Sequence, residues 1–246
     1  MARFTGKNVV VTGGTSGIGL ATAKRLAADG ASVLVTGTNP ERLEQAGQVE
    51  DVTTLQNDAS DPDAVQALAD AVDEHLDGRV DALFLNAGAG EFAPIGQLDA
   101  AQFARQLSLN TTGPLLHLDA LADKLGENAS VVFNTSVVND LGMQGASAYA
   151  ASKGGLRSAM LVAANELAPR GVRVNAVSPG PVETDFFGRA GVPEEQAGEM
   201  AEGIQAQVPL GRFGKSEEIA AAAAFLLSDE ASFVVGHELV VDGGMS

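Results

Sequence analysis

The chain contains no cysteine and no tryptophan, a single tyrosine, and five lysines among 246 residues. Each shortage removes a class of chemistry. Without cysteine there are no disulfides, no thiolate zinc sites and no thiol nucleophile, while the compartment is left undecided. Basic residues number 15 against 32 acidic ones, a formal net charge of −17. Nucleic acid and anionic membrane both demand a basic footprint, so neither is an expected partner. The same surface repels an acidic protein over long range unless a local basic patch receives it. No apolar run approaches the roughly 18 residues of a membrane span. His75, His117 and His237 stand in unrelated segments, and no metal site is expected. No G-x-S-x-G turn marks a hydrolase nucleophile. A P-loop at Gly214-Lys215-Ser216 fails because its first glycine would fall at Pro209. Met1-Ala2-Arg3-Phe4-Thr5 passes straight into an apolar strand pattern without signal-peptide organisation, so a cytoplasmic protein is expected.

What is present is a globular composition, 45% hydrophobic and 19% charged. From Asn8 onward short apolar runs alternate with amphipathic segments, the βαβ pattern of a parallel sheet covered by helices on both faces. Strands are predicted over 8–12, 32–36, 52–57, 82–86, 130–135, 173–178 and 238–242. Helices are predicted over 18–29, 40–49, 62–76, 99–125, 147–168 and 216–228, with Gly30 and Gly171 as stops. No repeat or long linker interrupts the series, which predicts one α/β domain over 1–246. The exception is the Pro-, Gly- and Glu-rich stretch 180–208, read as a mobile substrate lid with one or two short helices.

Two patterns carry chemistry. The first strand runs into Thr12-Gly13-Gly14-Thr15-Ser16-Gly17-Ile18-Gly19 and a helix follows. Glycines there allow a tight turn, backbone approach to a pyrophosphate and close packing of helix on sheet, while the helix N-terminus favours an anion. The second is Tyr149, the only tyrosine, with Lys153 four positions on. On a helix the two side chains share a face. A phenol has a pKa of about 10, which a nearby ammonium lowers toward the working range of a proton donor. Spacing alone also fits an exposed helix that carries one aromatic and one base.

Further motifs follow in order: Asn86-Ala87-Gly88 after the fourth strand, Asn110 in the fourth helix, Ser136 after the fifth strand, Tyr149-x-x-x-Lys153, and Pro179-Gly180 after the sixth. With the glycine turn, the whole chain resembles the single-domain short-chain dehydrogenase/reductase family. One departure is visible: Leu85 stands where many members have a second asparagine. The resemblance implies a doubly wound Rossmann fold, a seven-stranded parallel sheet in the order 3-2-1-4-5-6-7. It also implies a nicotinamide cofactor held by Gly13, Thr15, Ser16, Gly17, Ile18, Gly19, Gly37, Thr38, Asn39, Asp58, Ala59, Asn86, Ala87, Gly88, Tyr149, Lys153, Pro179, Gly180, Val182 and Thr184. Asp58 matches the aspartate that contacts the adenine amino group, with helix capping beside Asp61-Pro62 as its competing role.

An acidic residue at the end of the second strand repels a 2′-phosphate. Here the strand exits as Val35-Thr36-Gly37-Thr38-Asn39, with no carboxylate before Glu41 and no arginine after Gly37. Ser16, Thr38, Asn39 and Arg42 remain as phosphate contacts, so NADP(H) is favoured, with NAD(H) or dual use the alternative.

By the same resemblance, Ser136 stabilises the developing alkoxide and Tyr149 is the general acid or base. Lys153 lowers the Tyr149 pKa and binds the nicotinamide ribose, and Asn110 holds a water on the proton path. Glu91, Val138, Asn139, Met143, Phe186, Phe187 and Met200 surround a small carbonyl or alcohol substrate by the order of their loops, with Phe92 and Ile204 beside them. Their apolar majority points to a hydrophobic ketone or aldehyde. The alternatives are reduction of a carrier-bound 3-oxoacyl group and a dinucleotide-sensing module without turnover. The helices 99–125 and 147–168 are long, and the resemblance implies that they pair in a homotetramer.

Overall fold

The computed structural model describes residues 2–184 and 194–246, apart from the side chains of 194–197. Seven strands, β1 (Asn8–Val11), β2 (Ser32–Gly37), β3 (Val52–Gln56), β4 (Val80–Leu85), β5 (Leu125–Asn134), β6 (Arg173–Pro179) and β7 (Glu238–Val241), form one sheet in the order β3-β2-β1-β4-β5-β6-β7. Every pairing is parallel, with Val10 opposite Leu34 on one side and Leu83 on the other. The central strands read as apolar runs because both faces are covered: in β1, Val9, Val10 and Val11 are all buried.

One face packs Leu26, Phe84, Ile219 and Leu226 beneath α1 (Gly17–Ala28) and the last helix, Ser216–Leu227. The other packs Leu68, Leu83, Leu121, Phe133 and Met160 beneath α3 (Val65–His75), α5 (Gly113–Leu121) and α7 (Ser147–Leu167). Truncating a fully buried phenylalanine such as Phe84 or Phe133 to alanine costs about 3–5 kcal/mol. Strand order reverses between β1 and β4, and a crevice opens at the carboxyl ends of the strands at that switch point.

The expected helix 99–125 is not continuous. It divides into α4 (Ala100–Leu107), a π turn at Ser108–Thr112 and α5, and β5 already begins at Leu125. Pro114 explains the division, since it has no N–H to continue the ladder. Gly113 explains its position: a Cβ there would lie 1.8 Å from the Ala59 carbonyl oxygen. The Ser108 hydroxyl donates to the Ser60 carbonyl at 2.7 Å, so the π turn is pinned to the loop after β3. The early start of β5 was hidden by Gly126, Glu127 and Asn128, residues that disfavour strands. Within 180–208 one helix runs Glu194–Gln205; 185–193 lie outside the described residues.

Arg173, at the start of β6, is buried and collects the C-terminal end of the last helix. Its Nη1 donates to the Leu226 and Ala231 carbonyls at 2.9 and 3.0 Å, and its Nη2 to that of Ser228 at 2.9 Å. The guanidinium thus adds charged donors to the carbonyls at the end of the helix, Leu226 and Ser228, and to Ala231 in the turn that follows.

Candidate active site

The glycine turn is stitched to the exit of β4. The Thr12 hydroxyl oxygen accepts from the Asn86 and Ala87 N–H groups at 3.0 and 3.1 Å, while Asn86 Nδ2 donates to the Thr12 and Gly13 carbonyls at 3.1 and 3.2 Å. Gly13 has φ +63°, and a Cβ on it would press against the Ala87 Cα at 2.9 Å. Gly19 is required by packing, because its Cβ would meet the Gly13 carbonyl oxygen at 2.3 Å. The Ser16 side chain does not cap α1, which leaves the first-turn N–H groups, lacking partners within the helix, for an anion.

Gly13, Ser16, Asn86 and Ala87 help to floor a cleft of about 780 Å³. Gly13, Thr15, Ser16, Gly17, Ile18, Gly37, Thr38, Asn39, Asp58, Ala59, Asn86, Ala87, Gly88, Ser136, Tyr149, Lys153, Pro179, Gly180, Val182 and Thr184 all line it, as do Phe92, Val138, Met143, Met200 and Ile204. Gly19 and Asn110 stand behind its wall. Glu91 points elsewhere, in a two-bond ion pair with Arg105 at 2.9 and 3.3 Å. Both side-chain polar atoms of Asn139 are buried without a partner among the described residues, outside the cleft lining. Phe186 and Phe187 lie outside the described residues.

At one end of the cleft, Asn39 Oδ1 accepts from the Arg42 N–H at 3.0 Å and caps α2 (Pro40–Ala46). Asp58 Oδ1 accepts from the backbone N–H and hydroxyl of Ser60 at 2.9 and 2.7 Å, so one of its oxygens closes its own turn. Beside it, Asn57 Oδ1 is a buried acceptor with no partner among the described residues.

The other end holds the Ser136 and Tyr149 hydroxyls. Tyr149, on the first turn of α7, has its phenol hydrogen-bonded by Ser136, and Phe92 packs its ring edge-on at 6.3 Å and 67°. Burial of the phenol pushes its pKa up to about 12, and the Ser136 bond pulls the other way. Lys153, one turn on, is buried and donates from Nζ to the Asn134 carbonyl at 2.6 Å. Its desolvation brings its pKa down to about 8. The expected influence of Lys153 on Tyr149 is therefore not the dominant one here. Desolvation of the phenol is larger, and Ser136 is the group that opposes it.

Asn110 sits at the π turn, fully buried. Its Nδ2 donates to the Ala89 carbonyl and the Ser152 hydroxyl at 2.8 and 3.1 Å, and its Oδ1 accepts from the Ala89 N–H at 3.0 Å. Its amide braces the Asn86-Ala87-Gly88 exit against α7. Both of its N–H donors are thereby committed to protein.

Asn134 was missed by sequence reading. Its Nδ2 donates to Asn86 Oδ1 at 2.9 Å while its carbonyl holds Lys153, so a chain of amides runs from Gly13 through Asn86 and Asn134 to Lys153. The only available signal was its place two residues before Ser136 at a strand end. The loop after β6 is held in turn: the Gly214 N–H donates to the Pro181 carbonyl and the Glu183 N–H to that of Gly214, each at 2.9 Å. Thr184 reaches back to Gly17, where a Cβ would come within 3.3 Å of its methyl. The cleft thus offers a glycine cradle, a helix N-terminus and buried polar groups along one wall, a donor set that fits an extended dinucleotide.

Among the described residues no three His, Cys, Asp or Glu side chains group to hold a metal, and no helix is long and apolar enough to cross a membrane.

Residues 12–246 match the family described as Enoyl-(Acyl carrier protein) reductase. An uncharacterised oxidoreductase of Methylorubrum extorquens is 39% identical over 100% of both chains. The levodione reductase of Leifsonia aquatica is 38% identical over 99% of this chain and 96% of its own. Among solved structures, a short chain dehydrogenase from Burkholderia cenocepacia J2315 in complex with NADP superposes with a TM-score of 0.89, at 33% identity over 99% of each chain. Likeness this extensive, over a sheet of the same order and a cleft of this composition, leaves one assignment: the chain belongs to the short-chain dehydrogenase/reductase family, as an NAD(P)-dependent oxidoreductase acting on CH–OH and carbonyl groups.

Proposed function

We propose that this enzyme interconverts small apolar ketones or aldehydes and their alcohols, with NADP(H) preferred over NAD(H). The observation that carries the reading is the Ser136–Tyr149 hydroxyl pair beside buried Lys153, in the same cleft as the glycine turn. A bound nicotinamide supplies the hydride for reduction or accepts it in oxidation. Ser136 donates to the substrate oxygen, Tyr149 delivers the proton in reduction and removes it in oxidation, and Lys153 holds the nicotinamide ribose hydroxyls.

The preference for NADP(H) rests on the exit of β2. No carboxylate there lines the cleft, whereas Arg42 does, together with Thr38 and Asn39. Apolar substrates are favoured because Phe92, Val138, Leu141, Met143, Met200 and Ile204 line the cleft, with Phe92 against the Tyr149 ring; one relative is a levodione reductase. A panel of apolar ketones and alcohols, assayed with NADPH and NADH separately, tests both parts. Faster turnover with NADPH on neutral ketones is expected, and equal rates with both cofactors overturn the preference.

A relative that is a 3-oxoacyl-(acyl-carrier-protein) reductase favours a second reading, reduction of a carrier-bound 3-oxoacyl group. A net charge of −17 opposes long-range capture of so acidic a carrier. Competition between a carrier-bound 3-oxoacyl thioester and a free ketone separates the two.

A cytoplasmic homotetramer completes the proposal. Leu161 and Val162 on the outer face of α7, and Phe233, Val235 and Val240 around β7, are exposed apolar groups that subunit contacts would cover. Light scattering measures the assembly.

A further inference from the structure

Glu238 opens β7, yet its carboxylate is directed inward, with a side-chain exposure of 9%. Oε1 accepts from the Thr135 hydroxyl at 2.6 Å, and Oε2 accepts from Arg157 Nε at 2.5 Å. To do so it reaches past β6, since Glu238 is in register with Ala176 and Thr135 follows the end of β5. A buried carboxylate is costly unless paired and hydrogen-bonded, and here both oxygens are engaged.

Both partners adjoin reacting groups. Thr135 immediately precedes Ser136. Arg157 stands on α7 at the spacing that continues Tyr149 and Lys153 along one helical face. The Thr135 hydroxyl has one proton and two acceptors, the Glu238 carboxylate and the Val177 carbonyl at 3.0 Å, while its backbone N–H also goes to Val177 at 2.9 Å. The peptide that presents Ser136 is therefore held from β6 and β7 together, and the same carboxylate ties it to the helix that presents Tyr149. Alignment of two hydroxyls tolerates little displacement, because a shift of about 1 Å can cost on the order of 10²-fold in rate.

We propose that Glu238 is a positioning residue, which through Thr135 and Arg157 holds the Ser136 hydroxyl in hydrogen-bond register with the Tyr149 phenol. This inference rests on the reading that Ser136 and Tyr149 perform the proton chemistry. Its consequence is specific: loss of the Glu238 charge should reduce turnover by way of Ser136 and leave the cofactor cradle alone, since the glycine turn and Asn86 share no hydrogen bond with Glu238.

The test is a double-mutant cycle on ketone reduction by the full-length enzyme with saturating NADPH. Glu238→Gln should lower kcat roughly tenfold, and Arg157→Met should lower it in the same direction. The NADPH Kd, read by cofactor fluorescence without substrate, should stay within about twofold. In a Ser136→Ala background Glu238→Gln should have almost no further effect. An equal loss of kcat in both backgrounds, an unchanged kcat in the native background, or a parallel loss of NADPH affinity would overturn the proposal. Should Glu238→Gln fold poorly, Arg157→Met runs through the same cycle. A Tyr149→Phe arm keeps the two levels apart: if it retains full activity the proton-chemistry reading fails, whereas if it is inactive and Glu238→Gln is silent, only the positioning role fails.

Discussion

The two ends of the cleft are built differently. At the Ser136–Tyr149 end, Lys153, Asn134 and Asn86 form one hydrogen-bonded chain and Asn110 and Ser152 a second, and Lys153, Asn110 and Ser152 are buried. At the end bounded by β2, Thr38 and Asn39 are exposed and Arg42 is half-buried. A rigid end preorganises charge and direction before any ligand arrives, which is where catalysis gains most. An exposed end can exchange side chains at little cost to the fold, which is where cofactor choice is adjusted. Substitutions at the first should therefore change rate and stability, and those at the second only discrimination.

The largest expected effect lies at the rigid end. Tyr149→Phe should lower turnover by at least about 10²-fold, the contribution of a positioned proton donor, with the NADPH Kd within about twofold. A turnover loss under tenfold would break the assignment of the two ends. At the open end, Arg42→Ala should raise the NADPH KM about tenfold, equivalent to about 1.4 kcal/mol, and leave NADH unaffected. Equal shifts for the two cofactors would place the 2′-phosphate elsewhere, and Thr38→Arg, which adds a fork-shaped cation, should tighten NADPH in compensation.

The smallest effect is thermal and again belongs to the rigid end. Lys153 has its pKa lowered from 10.5 to about 8, so between those values the unfolded chain binds more protons than the folded one. Through Lys153, stability rises with pH across that window. Tyr149, raised from 10 to about 12, keeps its proton in the fold after the unfolded chain has lost it, so it opposes that rise from pH 10 and turns it into a fall above 10.5. Lys153→Met should remove the rise in Tm and leave the alkaline fall. A rise that persists in the variant would assign it to other groups.

How much of this was legible in the sequence depended on the range of the interactions. The glycine turn and the Tyr149–Lys153 spacing are local, because backbone torsion and one helical turn are enough to interpret them. The sheet order came with the family resemblance, and the structure has that order. Glu91 was placed near the substrate by loop order, but order gives a neighbourhood and not a direction, and Arg105 draws it away. Asn134 was invisible because its meaning depends on strand register that brings it to Asn86, 48 residues distant. Glu238 was invisible for the same reason, with Thr135 at a separation of 103 residues. The division of the fourth helix was the exception, since Pro114 announced it and the surrounding apolar pattern concealed it.

Arg173 has a consequence for the order in which the chain can be assembled. The carbonyls it binds lie 53, 55 and 58 residues later in the sequence. During synthesis β6 therefore emerges well before its guanidinium has anywhere dry to go. Until the last helix arrives, a hydrated charge sits at the start of β6, the strand that would form the provisional edge of an unfinished parallel sheet. Charges so placed discourage edge-to-edge pairing between chains. The residue that ties the finished sheet to its last helix would, in the nascent one, act as a gatekeeper against edge pairing.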